Sequence, residues 1–197
     1  MKPAALGFRV HSGWTALVAV RLEEGFPVPL LRERPHLVRE FTFEFRQPYH
    51  TAEKKPFEEA GRFIAGVRAE AEALAAAAVR AAQSHLHERG FELRCGGLLA
   101  SSARPLPELA RILASHALIH TADGELFRAA LLHACHHNGV KTITVTEKEL
   151  LERAGRALHL SASEIAARLA ALGRAQGSPW TQDEKFATLA ACLSLLS

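Results

Sequence analysis

Residues 122–148 read ADGELFRAALLHACHHNGVKTITVTEK and contain the clearest structural signals in the chain. Up to Asn138 the apolar residues recur at helical spacing, and Gly139 is the type of residue that ends a helix. From Lys141 to Thr146 polar and apolar residues alternate strictly, as in a half-buried strand. The stretch therefore predicts a buried helix followed by a strand.

The predicted helix covers residues 108–138 and contains an unusually polar segment, residues 120–128 (HTADGELFR). A glycine inside a helix costs about 1 kcal/mol relative to alanine, and an unpaired charge facing a core costs several times more. We therefore expect a kink at Asp123–Gly124 and treat the segment as a candidate site. Its ionisable side chains are His120, Asp123, Glu125 and Arg128.

Before this stretch, the sequence pattern of residues 4–88 predicts several strands followed by a long helix. Residues 4–10 and 14–22 predict a β-hairpin, and residues 26–31 predict an edge strand because they contain two prolines. The alternating phenylalanines of residues 41–45 predict a further strand. Residues 57–88 are alanine-rich and free of internal proline, which predicts a long helix.

The remaining predicted elements lie before and after residues 122–148. Residues 91–100 predict an apolar strand, with Gly96-Gly97 suited to the close approach of another backbone. Helices are predicted for residues 149–158, 163–172 and 181–196. The last of these begins with Thr181-x-x-Glu184, a capping box.

Composition limits the class of protein. The chain has 197 residues, 48% of them hydrophobic, and a net charge of +3 that comes from 18 Arg and 6 Lys against 21 acidic residues. This net positive charge is smaller than is typical of a dedicated nucleic-acid-binding protein. Three cysteines without a Cys-x-x-Cys pair favour neither a disulfide framework nor a zinc site, so we expect a cytoplasmic protein. No segment is apolar for long enough to predict a membrane span.

The order of elements is three strands, a long helix, a strand, a helix, a strand and further helices, and it resembles the ribonuclease H-like superfold. Residues 122–124 (ADG), 138–140 (NGV), Glu147-Lys148 and the ending 183–191 (DEKFATLAA) are similar in pattern to RuvC-type Holliday-junction resolvases. The resemblance implies an α/β fold with a ribonuclease H-like mixed sheet and helices on both faces. We expect residues 1–197 to form a single domain of this kind.

The catalytic carboxylates of that superfold are mostly missing. A two-metal nuclease needs carboxylates on the first strand, at the end of the fourth and on the last helix, because two Mg²⁺ ions about 4 Å apart share oxygen ligands. Here His11 or Ser12 occupies the first position, and the fourth strand ends in Ser101-Ser102. Asp183 matches the last helix, but Phe186 stands where its companion is expected. The standard nuclease mechanism is therefore not predicted.

We expect the site at the sheet edge where the first and fourth strands and the helices carrying residues 120–125 and 183 converge. The candidate catalytic residues are His120, Glu125 and Asp183, and the candidate ligands of Mg²⁺ or Mn²⁺ are Asp123, Glu125 and Asp183. The candidate ligand-binding residues are His11, Ser101, Asp123, Trp180 and Lys185. Trp180 could stack on a base or act as a hydrophobic staple at the helix N-terminus, and both interpretations stay open.

Two further patterns have a functional and a structural interpretation. His116, His120 and Asp123 lie at i, i+4 and i+7, a spacing that suits Zn²⁺ or Fe²⁺ or a kinked helix with satisfied polar groups. The Tyr49-His50 pair could contact a phosphate or transfer a proton, whereas a turn that packs Tyr49 is simpler. Glu125 and Arg128 are expected to pair at i and i+3.

Three hypotheses about function follow. The first is a degenerate ribonuclease H-like protein that binds nucleic acid or a phosphorylated ligand. The second is a metal-dependent nuclease or phosphodiesterase in which Glu125 and Asp183, with His120, hold one ion. The third is a structural or interaction protein, and a homodimer is compatible with each. The chain contains no Walker loop, Gly-x-Ser-x-Gly or His-Glu-x-x-His motif, so whether it is an enzyme stays open.

Overall fold

The computed structural model describes residues 1–101 and 105–197, and within them five strands form one mixed sheet. The strand order is β3-β2-β1-β4-β5. The β1–β2 and β2–β3 pairs are antiparallel, whereas β4 is parallel to both β1 and β5. The strands are β1 (Lys2–His11), β2 (Trp14–Glu23), β3 (Phe26–Glu33), β4 (Phe91–Ala100) and β5 (Lys141–Thr146).

Helices cover both faces of the sheet. The described helices are α1 (Phe43–Arg46), α2 (Pro48–Ala52), α3 (Phe57–Glu88), α4 (Leu109–Leu113), α5 (His116–His137), α6 (Glu147–Leu158), α7 (Ala162–Gln176) and α8 (Gln182–Leu195). Leu6 and Phe8 of β1 pack into the core with α3 and α5. Ala5, next to Leu6 along the strand, packs with Ala187 and Ala191 of α8 instead. Because neighbouring strand residues point to opposite faces, α5 and α8 lie on opposite sides of the sheet.

The α/β fold with a mixed sheet between helices is therefore confirmed, as are most of the predicted elements. The long helix α3 has the predicted bounds, and Gly90 follows it with a positive φ of 81°. Thr181 and Glu184 form the predicted capping box at the start of α8. Among the described residues, no helix is long and apolar enough to cross a membrane.

The predicted strand at residues 41–45 is wrong, because this segment contains the short helix α1. Its backbone bonds are local: Arg46 N–H donates to Thr42 and Gln47 N–H donates to Phe43. The alternating phenylalanines predict a strand with one buried face, but their side chains do not share such a face. Phe41 and Phe43 are 42% and 60% exposed.

The predicted continuous helix over residues 108–138 is also wrong in one respect: it consists of two helices, and the break lies at Ala114–Ser115. Ser115 has an extended backbone and accepts the first backbone bond of α5 from Ile119. The step Asp123–Gly124, where we expect a kink, lies inside the continuous helix α5. A Cβ on Gly124 would lie 2.9 Å from Nη1 of Arg128, the end of a flexible side chain that can move aside, so this contact does not require glycine.

Helix α8 lies unusually close to the two central parallel strands. A Cβ on Gly7 of β1 would lie 1.8 Å from the carbonyl oxygen of Ala187, and one on Gly97 of β4 would lie 2.0 Å from that of Ala190. Backbone atoms cannot rotate away as a flexible side chain can. Glycine at both positions is therefore required for the packing of this helix.

We predict that Gly97→Ala lowers the free energy of unfolding by about 1–3 kcal/mol or more, because the added methyl group forces α8 away from the sheet. Urea denaturation measures this change. Gly66→Ala is the matched control, since Gly66 lies in α3 with open space at its Cβ position. This control should raise the free energy of unfolding by about 0.5–1 kcal/mol. Equal stability of Gly97→Ala and the wild type would contradict the close packing.

Candidate functional site

The carboxyl ends of the three parallel strands lie at one edge of the sheet, and polar residues follow each of them. His11 ends β1, Ser101 follows β4 and Glu147 follows β5. The N-terminus of α8 brings Asp183 to His11 at the end of β1. This edge is where the sequence predicted the site.

Asp183 is surrounded by cationic groups. Its Oδ1 accepts a bond from Nη1 of Arg9 at 2.5 Å and lies 2.8 Å from Nε2 of His11. Nη2 of Arg34 lies 3.7 Å from its Oδ2. Burial of the Asp183 side chain acts to raise its pKa, but the hydrogen bond from His11 and the charges of His11 and Arg9 outweigh burial and lower the pKa. Asp183 is therefore an ionised, paired carboxylate.

The neighbouring carboxylates are paired in the same way. Nε of Arg9 donates to Glu147 at 3.0 Å, and Nε of Arg34 donates to the fully buried side chain of Glu184 at 2.7 Å. Glu184 also caps α8, accepting bonds from the backbone N–H and hydroxyl of Thr181. These groups form one ion-pair network, which we call the arginine network: Arg9, His11, Arg34, Glu147, Asp183 and Glu184.

The arginine network does not fit the pair of Mg²⁺ ions that this type of fold implies. Mg²⁺ needs several oxygen ligands in octahedral geometry. On β1 the side chain beside Asp183 is the guanidinium of Arg9, a cation that repels a metal ion. Phe186, at the position expected for a second carboxylate, lies under this guanidinium at 5.3 Å from the ring centroid.

A second polar cluster surrounds Asp123 on the other face of the sheet. Asp123 is 3% exposed and accepts bonds from the backbone N–H of Tyr49 at 2.7 Å and from Nδ1 of His50 at 2.5 Å. Burial raises the pKa of Asp123, although the bonds from Tyr49 and His50 act to lower it. Helix α2, which buries Tyr49, therefore also positions His50.

His50 lies against the two histidines of the first turns of α5. Its ring centroid is 5.3 Å from that of His116 and 4.4 Å from that of His120, with the ring planes nearly perpendicular. Nε2 of His116 and Nε2 of His120 are 3.1 Å apart. We call His50, His116 and His120 the histidine trio. The sequence indicated the two helical histidines but not that His50 joins them.

Glu125 connects α5 to the end of β4. It accepts a bond from the hydroxyl of Ser101 and a bond of 2.9 Å from Nη1 of Arg128, the pairing expected at i and i+3. The structure thus brings Ser101 to Glu125 and His11 to Asp183. Ser102 lies outside the described residues.

The structure does not bring the three predicted metal ligands together. Asp123 and Glu125 lie on α5 and Asp183 lies on α8, on opposite faces of the sheet. Among the described side chains, the group close enough to hold one ion is the histidine trio, and it contains none of these three carboxylates. His120 is the candidate residue that belongs to it.

Trp180 and Lys185 lie on either side of the α8 N-cap. Nε1 of Trp180 donates to the carbonyl of Leu169 at 2.8 Å, and its ring packs over Gly173 so closely that a Cβ there would lie 2.2 Å from Trp180 Cδ1. The indole therefore packs on α7, in keeping with a structural role. Lys185 lies in the first turn of α8 and is partly exposed.

Sequence reasoning missed Arg9 and Arg34, and it singled out His50 together with Tyr49 without predicting its place beside His116 and His120. Arg9 could have been found, because it alternates with Gly7 and His11 on the β1 face toward α8. Arg34 follows β3 in a proline-containing loop, and its pairing with Glu184 spans 150 residues without a local signal.

The order of the strands and the helices on both faces of the sheet define a ribonuclease H-like fold. No protein-family model matches the chain, and no curated protein matches it by sequence. Two structures of Thermus thermophilus RuvC are similar to it, each at 12% identity over 98% of this chain and 93% of the other. The TM-score is 0.52 for one and 0.54 for the other, which was solved in complex with a Holliday junction substrate.

We predict that Asp183→Asn flattens the acid dependence of stability. Because the pKa of Asp183 is lowered in the folded protein, its ionised form stabilises the fold above the unfolded-state pKa of about 3.9, and this contribution is lost as the pH falls through the lower folded-state value. Asp183→Asn should therefore show a smaller slope of unfolding free energy against pH below about pH 4. Urea denaturation at several pH values measures the slope.

The same substitution should cost about 1–3 kcal/mol at pH 7, because Arg9 and His11 lose a charged partner. Glu152→Gln is the control, since Glu152 forms an exposed i,i+4 pair with Arg156 on α6. A slope for Asp183→Asn equal to that of the wild type would show that the network does not lower the pKa of Asp183.

Proposed function

We propose that this chain binds nucleic acid at the carboxyl edge of its sheet and does so without two-metal hydrolysis. The observation that carries this proposal is the ion pair of 2.5 Å between Asp183 and Arg9 of β1, which puts a cation where a metal ion would need a further carboxylate. The fold likeness to RuvC in complex with a Holliday junction substrate supports nucleic acid as the ligand. The missing carboxylates argue against the family's usual chemistry.

A surface of stacked aromatic and cationic side chains lies beside the β1–β2 turn. His11 stacks on Trp14 with centroids 4.3 Å apart, and Arg34 lies 5.1 Å from the Trp14 ring. Arg46 lies 4.4 Å from the centroid of Phe41, which also stacks on His36. We call this group the turn surface: His11, Trp14, Arg34, His36, Phe41 and Arg46.

The two stacks of the turn surface are joined by the backbone. Trp14 and His36 form an isolated antiparallel bridge, and Nε of Arg46 donates to the carbonyl of Ser12 at 3.2 Å. Aromatic rings bordered by cations are what single-stranded or unpaired nucleotides bind, because rings stack on bases while cations neutralise phosphates. Phe41 is 42% exposed, and a base that stacks on its ring would displace His36 or Arg46 from it.

The alternative of a metal-dependent nuclease using Glu125, Asp183 and His120 is not favoured. Helices α5 and α8 hold these groups on opposite faces of the sheet, and the two carboxylates are occupied by Arg128 and Arg9 respectively. The sequence also predicts, as alternatives, a phosphorylated small ligand, a structural role and a homodimer. No contact among the described residues specifically supports any of the three, so they stay predictions.

We predict that Phe41→Ala with Arg46→Ala weakens binding of a fluorescent four-way DNA junction by about 10-fold or more, since a base–aromatic stack contributes about 1–3 kcal/mol. Fluorescence anisotropy measures the Kd, with a duplex and a single strand as further probes. Arg156→Ala is the matched control: Arg156 is exposed and lies beside the C-terminus of α8, the end opposite Asp183. Its Kd should match that of the wild type.

The same experiment tests the absence of two-metal chemistry. Adding Mg²⁺ or Mn²⁺ should not strengthen binding, and it should yield no cleaved strand on a denaturing gel. Binding should weaken steeply as salt rises, as expected for phosphate contacts. Metal-dependent cleavage, or failure of the wild type to bind any of the three probes, would refute the proposed function.

A further inference from the structure

We propose that the histidine trio is a zinc site with an open fourth coordination position. His50 comes from α2, while His116 and His120 come from the first turns of α5. Each offers one ring nitrogen, and the three nitrogens lie within 4.8 Å of one another. The site is separate from the arginine network, which lies at the N-terminus of α8.

The spacing of the two helical histidines fits a shared ion. Ligating nitrogens about 2.0–2.1 Å from a tetrahedral zinc ion lie about 3.3 Å from each other. Nε2 of His116 and Nε2 of His120 are 3.1 Å apart, so a small rotation of either ring reaches that distance. The i,i+4 spacing on α5 keeps both rings on one helical face.

Asp123 orients the third ligand. Its Oδ2 accepts a bond of 2.5 Å from Nδ1 of His50, and its Oδ1 accepts one of 2.7 Å from the backbone N–H of Tyr49. With the proton on Nδ1, the lone pair of His50 lies on Nε2, the nitrogen left for a metal ion. A carboxylate behind a ligating histidine is the usual arrangement of metal sites, because it holds the tautomer and makes the imidazole more basic.

The donor set selects the type of metal. Imidazole nitrogens suit Zn²⁺, Co²⁺ and Ni²⁺, whereas Mg²⁺ prefers oxygen. Zinc sites with a purely structural role have four protein ligands, and three protein ligands with a free position are typical of sites that admit a water molecule or substrate. His116 and His120 are exposed, so solvent reaches the free position.

Calorimetric titration of tag-free, chelator-stripped protein with Zn²⁺ tests the site. We expect one Zn²⁺ per chain in the wild type. His50→Ala, His116→Ala and His120→Ala should each weaken the affinity by more than about 100-fold, because loss of the residue behind a ligand already costs about 10–100-fold. Asp123→Asn should keep the stoichiometry and weaken the affinity by about 10–100-fold.

Helix α5 contains its own matched control. His133 and His137 are also exposed and spaced i,i+4, with parallel rings 6.3 Å apart, but among residues 1–101 and 105–197 no third ligand completes a cluster with them. The double variant His133→Ala with His137→Ala should bind zinc as the wild type does. Co²⁺ substitution gives a second readout, since the wild type should show the intense visible absorption of a tetrahedral site and the trio variants should lose it.

Circular dichroism and thermal unfolding without metal show whether each variant is folded, and the exposed His116 and His120 keep the test informative if His50→Ala unfolds. The proposal is wrong if the wild type binds no Zn²⁺, if the His116→Ala and His120→Ala variants bind it like the wild type, or if the control variant loses affinity equally. The titration contains no DNA, so its outcome is independent of nucleic-acid binding.

Discussion

The close contact of α8 with β1 and β4 is the constraint on which the carboxyl edge of the sheet depends. Gly7 and Gly97 leave room for the helix backbone itself to lie against the strands. This approach brings Asp183 within hydrogen-bond distance of Arg9 and His11. The two glycines therefore allow α8 to lie close to the strands, and this short distance allows Asp183 to pair with Arg9 and His11.

The arginine network lies at the carboxyl ends of the parallel strands, where Arg9 of β1 places a cation beside Asp183 of α8. Taking charges from water is costly unless each has a partner, and here Arg9, Arg34 and the carboxylates that they contact satisfy one another. Paired carboxylates are poor metal ligands. A fold that positions hydrolytic groups in other proteins can thus serve as a scaffold for recognition, since activity belongs to the site and not to the fold.

Most of the fold could be predicted because its signals are local. The alternation of residues 141–146, the bounds of α3 and the capping box of Thr181 depend on neighbours a few residues away. The prediction of a strand at residues 41–45 is wrong, because alternating apolar and polar residues form a strand only where a partner strand and a buried face exist. The site was harder to predict, because Arg9 contacts Asp183, which lies 174 residues away in the sequence, and His50 contacts Asp123, which lies 73 residues away. Periodicity carries no information about which distant polar groups pair.

Helices α1 and α2 have a consequence for how distant parts of the molecule communicate. Arg46 at the end of α1 belongs to the turn surface, and His50, four residues later, belongs to the histidine trio. Phe43 also contacts the His50 ring edge-on at 6.3 Å. One short segment thus contacts two candidate binding surfaces. By thermodynamic linkage, if an occupant of one surface changes the affinity of the other through this segment, the reverse effect has the same factor.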